Sequence, residues 1–115
     1  MSDLRQRLED FRNDANAHPR VRQLINNWSR TAGISATDTG ESFLFMFESG
    51  RISEVVPGTP TNEQIVIRGE QHILERVFTG ALNPASAHLA GDLQVLASEV
   101  DQVKLDAITM VLWGD

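Results

Sequence analysis

The sequence predicts an α+β fold, on three observations. The first 30 residues carry apolar side chains at helical spacing. From about residue 28 to 69 the chain becomes a succession of short β-branched and aromatic segments divided by turn residues. The last third returns to helical spacing, with one further strand between well-punctuated helices. Runs of strands followed by runs of helices, rather than strict alternation, characterise this class. A chain of 115 residues implies one domain, 1–115, large enough for a single core but not for two.

The elements follow in order. Leu4, Leu8, Phe11 and Ala15 lie at i, i+4, i+7 and i+11, one stripe of an amphipathic helix over 3–16. Val21, Leu24, Ile25 and Trp28 repeat the pattern after Pro19, a good first-turn residue, and give a second helix over 19–27. "WSRTAGISATDT" has no helical stripe and reads as a strand that ends in the turn residues "DTGE". "SFLFMF" (42–47) is a second strand ending at "ESG". "RISEVV" is a short third strand stopped by Pro57, and "VPGTPTNE" is a loop by composition. "QIVIRG" is a fourth strand, with Ile65 and Ile67 on one face and Val66 and Arg68 on the other.

Helical spacing resumes in "EQHILERVF", where Ile73, Leu74, Val77 and Phe78 share a stripe and Gly80 is a left-handed stop. In "NPASAHLAG", Asn83 caps a short helix, Pro84 takes its first turn and Gly91 ends it. "DLQVLA" is a fifth strand. "SEVD" is a capping box that opens a final helix over 99–113.

Two segments carry unusual amounts of apolar surface. Three of the five phenylalanines sit in "SFLFMF", which is apolar on both faces of its strand. By parity Phe43, Phe45 and Phe47 share one face. Leu44 and Met46 point to the other, where they need a cover: the N-terminal helices, a second subunit, or nothing. The second half of the final helix, "AITMVLW", is apolar nearly all round. It calls for a buried last turn pinned by Trp113, a partner surface, or a place in the wall of an apolar cavity.

Composition excludes several functions. No cysteine is present, which removes disulfides, thiolate metal sites and a cysteine nucleophile. Net charge is −6, divided as +2 over residues 1–30 and −8 over the remainder. Nucleic-acid binding needs a clustered basic surface, so it is not expected. The basic N-terminal segment either docks on its own acidic body or touches anionic lipid headgroups in a transient membrane contact. No apolar run approaches the ~20 residues of a membrane span. The charged start "MSDLRQRLEDF" shows no signal-peptide pattern and the end "VLWGD" is not a peroxisomal address, so cytoplasm is the expected compartment.

Catalytic patterns are missing as well. The three histidines, His18, His72 and His88, have no metal-ligand spacing. There is no nucleophile elbow and no phosphate-binding glycine loop. The carboxylates fall mostly at caps, turns and helix surfaces. A non-enzymatic chain without metal or cofactor is expected.

At "FTGALNPASAHLAGDLQVLA" the sequence resembles the sterol carrier protein 2 family. The residues that carry the resemblance are Thr79-Gly80, Asn83-Pro84, Ala87 and Gly91-x-Leu93-x-Val95. It extends back through "QIVIRG" and "SFLFMFESGRISEVV" and covers 27–113, with 1–26 as preceding helices. The chain departs from the family at Ala97, often glycine, and at His88 and Leu89, often aromatic. It looks like a free-standing bacterial-type member.

The resemblance implies a five-stranded, twisted, mostly antiparallel sheet with helices packed on one face. It implies a tunnel between sheet and helices for a fatty-acyl chain, a sterol or another lipid, with the last helix at its mouth. Candidate walls are Phe43, Phe45, Phe47, Ile65, Ile67, Val77, Phe78, Val95, Ile108 and Leu112, each of which could equally serve the core. Arg30, Arg68 and Arg76 are candidates for an anionic headgroup, or else surface ion-pair partners. The alternative is an interaction module with a collapsed cavity. It would use the C-terminal helix to form a homodimer or to support an enzyme of a lipid or quinone pathway.

Overall fold

The computed structural model describes residues 3–114; Met1, Ser2 and Asp115, at the two ends of the expected domain, lie outside them. The helices are α1 (Asp3–Ala17), α2 (Pro19–Leu24), α3 (Gln71–Val77), α4 (Pro84–Leu89) and α5 (Glu99–Trp113). The strands are β1 (Arg30–Ala36), β2 (Ser42–Glu48), β3 (Arg51–Ile52), β4 (Val56–Pro57), β5 (Ile65–Gly69) and β6 (Leu93–Leu96). The sheet runs β3-β2-β1-β5-β6, with β4 also paired to β2. Among the described residues, β1 and β5 pair in parallel and the other pairings are antiparallel.

The expected third strand is two short strands. Phe47 pairs with Ile52, and Leu44 pairs with Val56. Three residues, 53–55, therefore stand opposite two, 45 and 46, which is a β-bulge. Ser53 fills it: its N–H donates to the Met46 carbonyl, and its hydroxyl accepts from the Met46 N–H, each at 2.8 Å. Pro57 does not stop pairing but joins it, on an edge strand where its missing N–H costs no ladder bond. Ser49 and Gly50, both with positive φ, make the tight two-residue turn between β2 and β3.

The phenylalanine parity holds. Phe43, Phe45 and Phe47 are buried on the helix-covered face, in register with Ile34, Ala32 and Arg30 of β1. On α1, Leu4, Leu8, Phe11 and Ala15 are all buried, as their spacing predicts. Phe11 meets Phe45 at 6.3 Å and Phe78 at 5.3 Å between ring centroids. The outer end of α1 also closes the sheet edge. The Asn16 side-chain amide exchanges two hydrogen bonds with the Ile52 backbone (2.7 and 3.0 Å), and Arg12 donates to the Ser53 carbonyl (2.9 Å). A side chain thus stands in for a strand at the exposed edge.

The cover over Leu44 is none of the three expected. It is the loop after β4. A Cβ on Gly58 would lie 2.7 Å from Leu44 Cδ1, and one on Gly33 would lie 2.7 Å from Pro60 Cγ. Both glycines are needed because the loop lies directly on the outer sheet face. Met46 stays 39% exposed.

The predicted caps form, with one exception. Asn83 accepts from the Ser86 N–H and Ser98 from the Asp101 N–H. The reciprocal half of the Ser98 capping box is missing, because the Asp101 carboxylate turns inward instead. It accepts from Trp28 Nε1 (3.0 Å) and from Arg30 Nε (2.9 and 3.0 Å). This buried carboxylate ties the first turn of α5 to the start of β1. Lys104 adds a second tie, donating to the Leu24 carbonyl at the end of α2 (2.9 Å).

Candidate functional site

An apolar cleft of about 270 Å³ lies between the β5–β6 end of the sheet and the helices. Its floor is Ile67, Leu93 and Val95, and Phe11 closes the back. Val77 and Phe78 at the end of α3 and Pro84, Ala85, His88 and Leu89 on α4 form one side. On the other side α5 contributes Gln102, Leu105, Asp106, Ile108, Thr109 and Trp113. Small-molecule sites usually measure ~300–1,000 Å³ and are mainly apolar with a few polar groups.

Local sequence explains the placement. Pro84 and the Asn83 cap fix where α4 begins, and Gly91 (φ 84°) turns the chain sharply into β6. This lays α4 beside the strand that supplies the floor. Gly80 (φ 81°) performs the same service after α3, and a Cβ there would stand 2.5 Å from Trp113 Cγ. The bare glycine therefore lets Trp113 pack against the turn after α3 and line the cleft, where its ring also meets Phe11 at 5.9 Å.

Of the ten apolar candidates, the structure brings Ile67, Val77, Phe78, Val95 and Ile108 together around the cleft. Phe43, Phe45, Phe47 and Ile65 are buried in the core and do not line it. The reason is α1, whose Phe11 packs onto Phe45 and fills that half of the sheet–helix space. Leu112 turns away, onto a shallow groove beside Asp14, Ala17, His18 and Pro19.

None of the three arginines reaches the cleft. Arg30 is held by Asp101. Arg68 faces the outer side of the sheet, in register with Ser35 and Gln94. Arg76 is exposed on α3. Among the described residues, no group of histidines and acids is arranged to hold a metal, and no helix is long and apolar enough to cross a membrane.

The candidate walls left out Phe11 and Leu93, all of the α4 lining (Pro84, Ala85, His88 and Leu89), Leu105 and Trp113 on α5, and the polar members of α5. One signal was available: Asp101, Leu105 and Ile108 form a stripe at i, i+4 and i+7, which marks the inward face of α5 and so its neighbours 102, 106 and 109.

No family model and no curated protein matches the sequence. Solved structures do. Sterol carrier protein 2 superposes with a TM-score of 0.70 at 14% identity, over 97% of this chain and 95% of that one. A protein described as "UbiJ-SCP2 Ubiquinone synthesis protein" gives 0.67 at 10% identity, over 93% and 88%. A palmitated SCP2L2 from Aedes aegypti gives 0.63 at 11% identity, over 90% of each. The chain has the sterol carrier protein 2 fold.

Proposed function

We propose that this chain is a non-catalytic lipid-binding domain that holds one apolar ligand in the cleft between β5–β6, α4 and α5. The observation that carries this reading is the cleft itself: about 270 Å³, walled mainly by apolar side chains, with Leu89 at the rim 87% exposed. An apolar hollow of this size is costly to leave open to water. Each buried methylene of a ligand is worth about 0.8 kcal/mol, so a ten-carbon chain supplies roughly 8 kcal/mol before the costs of association. The fold shared with a palmitated protein supports the same reading.

Val95→Trp tests it, since an indole at that floor position fills the cleft. Nile red, an uncharged apolar dye, should bind the native protein and lose affinity at least about tenfold in this variant, with the circular dichroism spectrum unchanged. Native mass spectrometry before and after organic extraction gives a second readout. A bare polypeptide mass together with no dye uptake by the native protein would sink the proposal.

A second reading has one observation in its favour. Val100, Val103 and Met110 on α5 are 70%, 64% and 59% exposed. With Ala107 they follow 3-4-3 spacing on a single face of α5, opposite the cleft, as in a helix-pairing seam. This supports an interaction module, with a second copy or with an enzyme of a lipid or quinone pathway, and the ubiquinone-synthesis neighbour is consistent with the latter. Trp113 is unsuited to testing it, being packed inward against Phe11 and Gly80. Val103→Glu is suited: a concentration-dependent dimer in sedimentation equilibrium should become monomeric. A native protein that is monomeric at every concentration would exclude the homodimer.

A further inference from the structure

The polar groups around the cleft have a common character. His88 Nδ1 lies 3.1 Å from the Leu93 carbonyl, an acceptor, so the ring nitrogen there carries the proton. In the neutral ring this leaves Nε2 as an acceptor. Gln102 Nε2 donates to the Ala97 carbonyl (3.0 Å), which leaves its amide oxygen and one N–H. The Thr109 hydroxyl donates to the Asp106 carbonyl (2.9 Å) and keeps only lone pairs. The Asp106 carboxylate accepts only. Backbone carbonyls of Leu93, Ala97 and Asp106 have thus consumed most of the donors, and the groups left to a ligand are nearly all acceptors. Among the described residues, Asp106 is the only charged one in the lining, and no lysine or arginine joins it.

From this we infer that the cleft selects an apolar ligand whose polar end donates hydrogen bonds, such as a long-chain alcohol, and discriminates against fatty-acid anions. A carboxylate brought to this rim would meet the one remaining Gln102 N–H, otherwise acceptors that cannot bond to it, and a like charge at Asp106. An alcohol of equal chain length satisfies Asp106 or His88 Nε2 with its own proton. This inference stands in place of an anionic headgroup held by arginine, and it rests on the lipid-binding reading above.

Competition against Nile red at pH 8.5 with decan-1-ol and decanoate tests it, because chain length is held fixed and only the head differs. Decan-1-ol should compete about tenfold more strongly in the native protein. Asp106→Lys should remove or reverse that preference. Glu48→Lys makes the same change in net charge from an exposed position on the outer sheet face, and should leave the preference within about twofold. Asp106→Asn should weaken the preference and serves if the lysine variant fails to fold.

Equal or stronger competition by decanoate in the native protein overturns the inference while leaving lipid binding standing. Equal shifts in Asp106→Lys and Glu48→Lys also overturn it, by tracing the preference to overall charge. Failure of both competitors, with no dye uptake, would bring down the lipid-binding reading and the inference together.

Discussion

Replacing Asp101 with alanine should lower the free energy of unfolding by about 3 kcal/mol and the melting temperature by roughly 10–15 °C. The carboxylate is 3% exposed and is the common acceptor for Trp28 Nε1 and Arg30 Nε. Its removal leaves a buried indole N–H and a guanidinium without their acceptor, which costs more than the pair's net worth. Arg30 is 31% exposed along its side chain, so water recovers part of the loss, and the figure belongs at the lower end for a broken buried pair. Asp101→Asn keeps an acceptor for Trp28 and should cost about half as much. Urea unfolding of the three proteins decides it, and an alanine variant within 0.5 kcal/mol of the native protein would refute the clamp.

The same residue sets a pH dependence. Burial pushes the Asp101 carboxyl up, but hydrogen bonds with Arg30, Trp28 and Ser98 and the Arg30 charge outweigh it and hold the group below its ordinary 3.8. A folded-state pKa below the unfolded one means that the contribution is fully present above about pH 4. It is lost as pH falls from 3.8 through the lowered folded value. The native protein should therefore lose stability more steeply below pH 4 than Asp101→Asn does, as read by urea midpoints measured down the pH scale.

Phe47→Ala is the second large effect: a loss of about 3–5 kcal/mol, with Nile red affinity retained within about twofold. Phe47 is 1% exposed and packs on Trp28 at 4.8 Å and on Phe45 at 5.5 Å, away from the cleft. Paired with Val95→Trp, it separates the residues that hold the domain together from those that would hold a ligand. A folded Phe47→Ala protein that no longer takes up the dye would mean that the binding space extends under β2.

Strand parity and helix caps were legible because they depend on neighbours within a few residues. "SFLFMF" reveals its inward face through a period of two, and Asn83-Pro84 and Ser98 announce their helices through side chains that reach three residues along. The bulge at Ser53 and the Pro60 loop over Gly33 were not legible, since each depends on what the sheet brings opposite. Asp101 is the sharpest instance. Its place in a Ser-x-x-Asp pattern predicts a local cap, but Trp28 and Arg30, more than 70 residues earlier, offer a charged donor and an indole and win the carboxylate.

The sequence by itself determined the class of fold, the order of its elements apart from the divided third strand, the buried faces of α1 and β2, and the residues that mark a sterol carrier protein 2-like arrangement. Only the tertiary structure decided which buried residues line the cleft and which fill the core. The same apolar side chains serve either role, and the difference lies in where α1 places Phe11. It also decided the character of the rim. Whether Gln102, Thr109 and His88 offer donors or acceptors depends on which carbonyls the folded backbone sets beside them, and no periodicity in the chain encodes that.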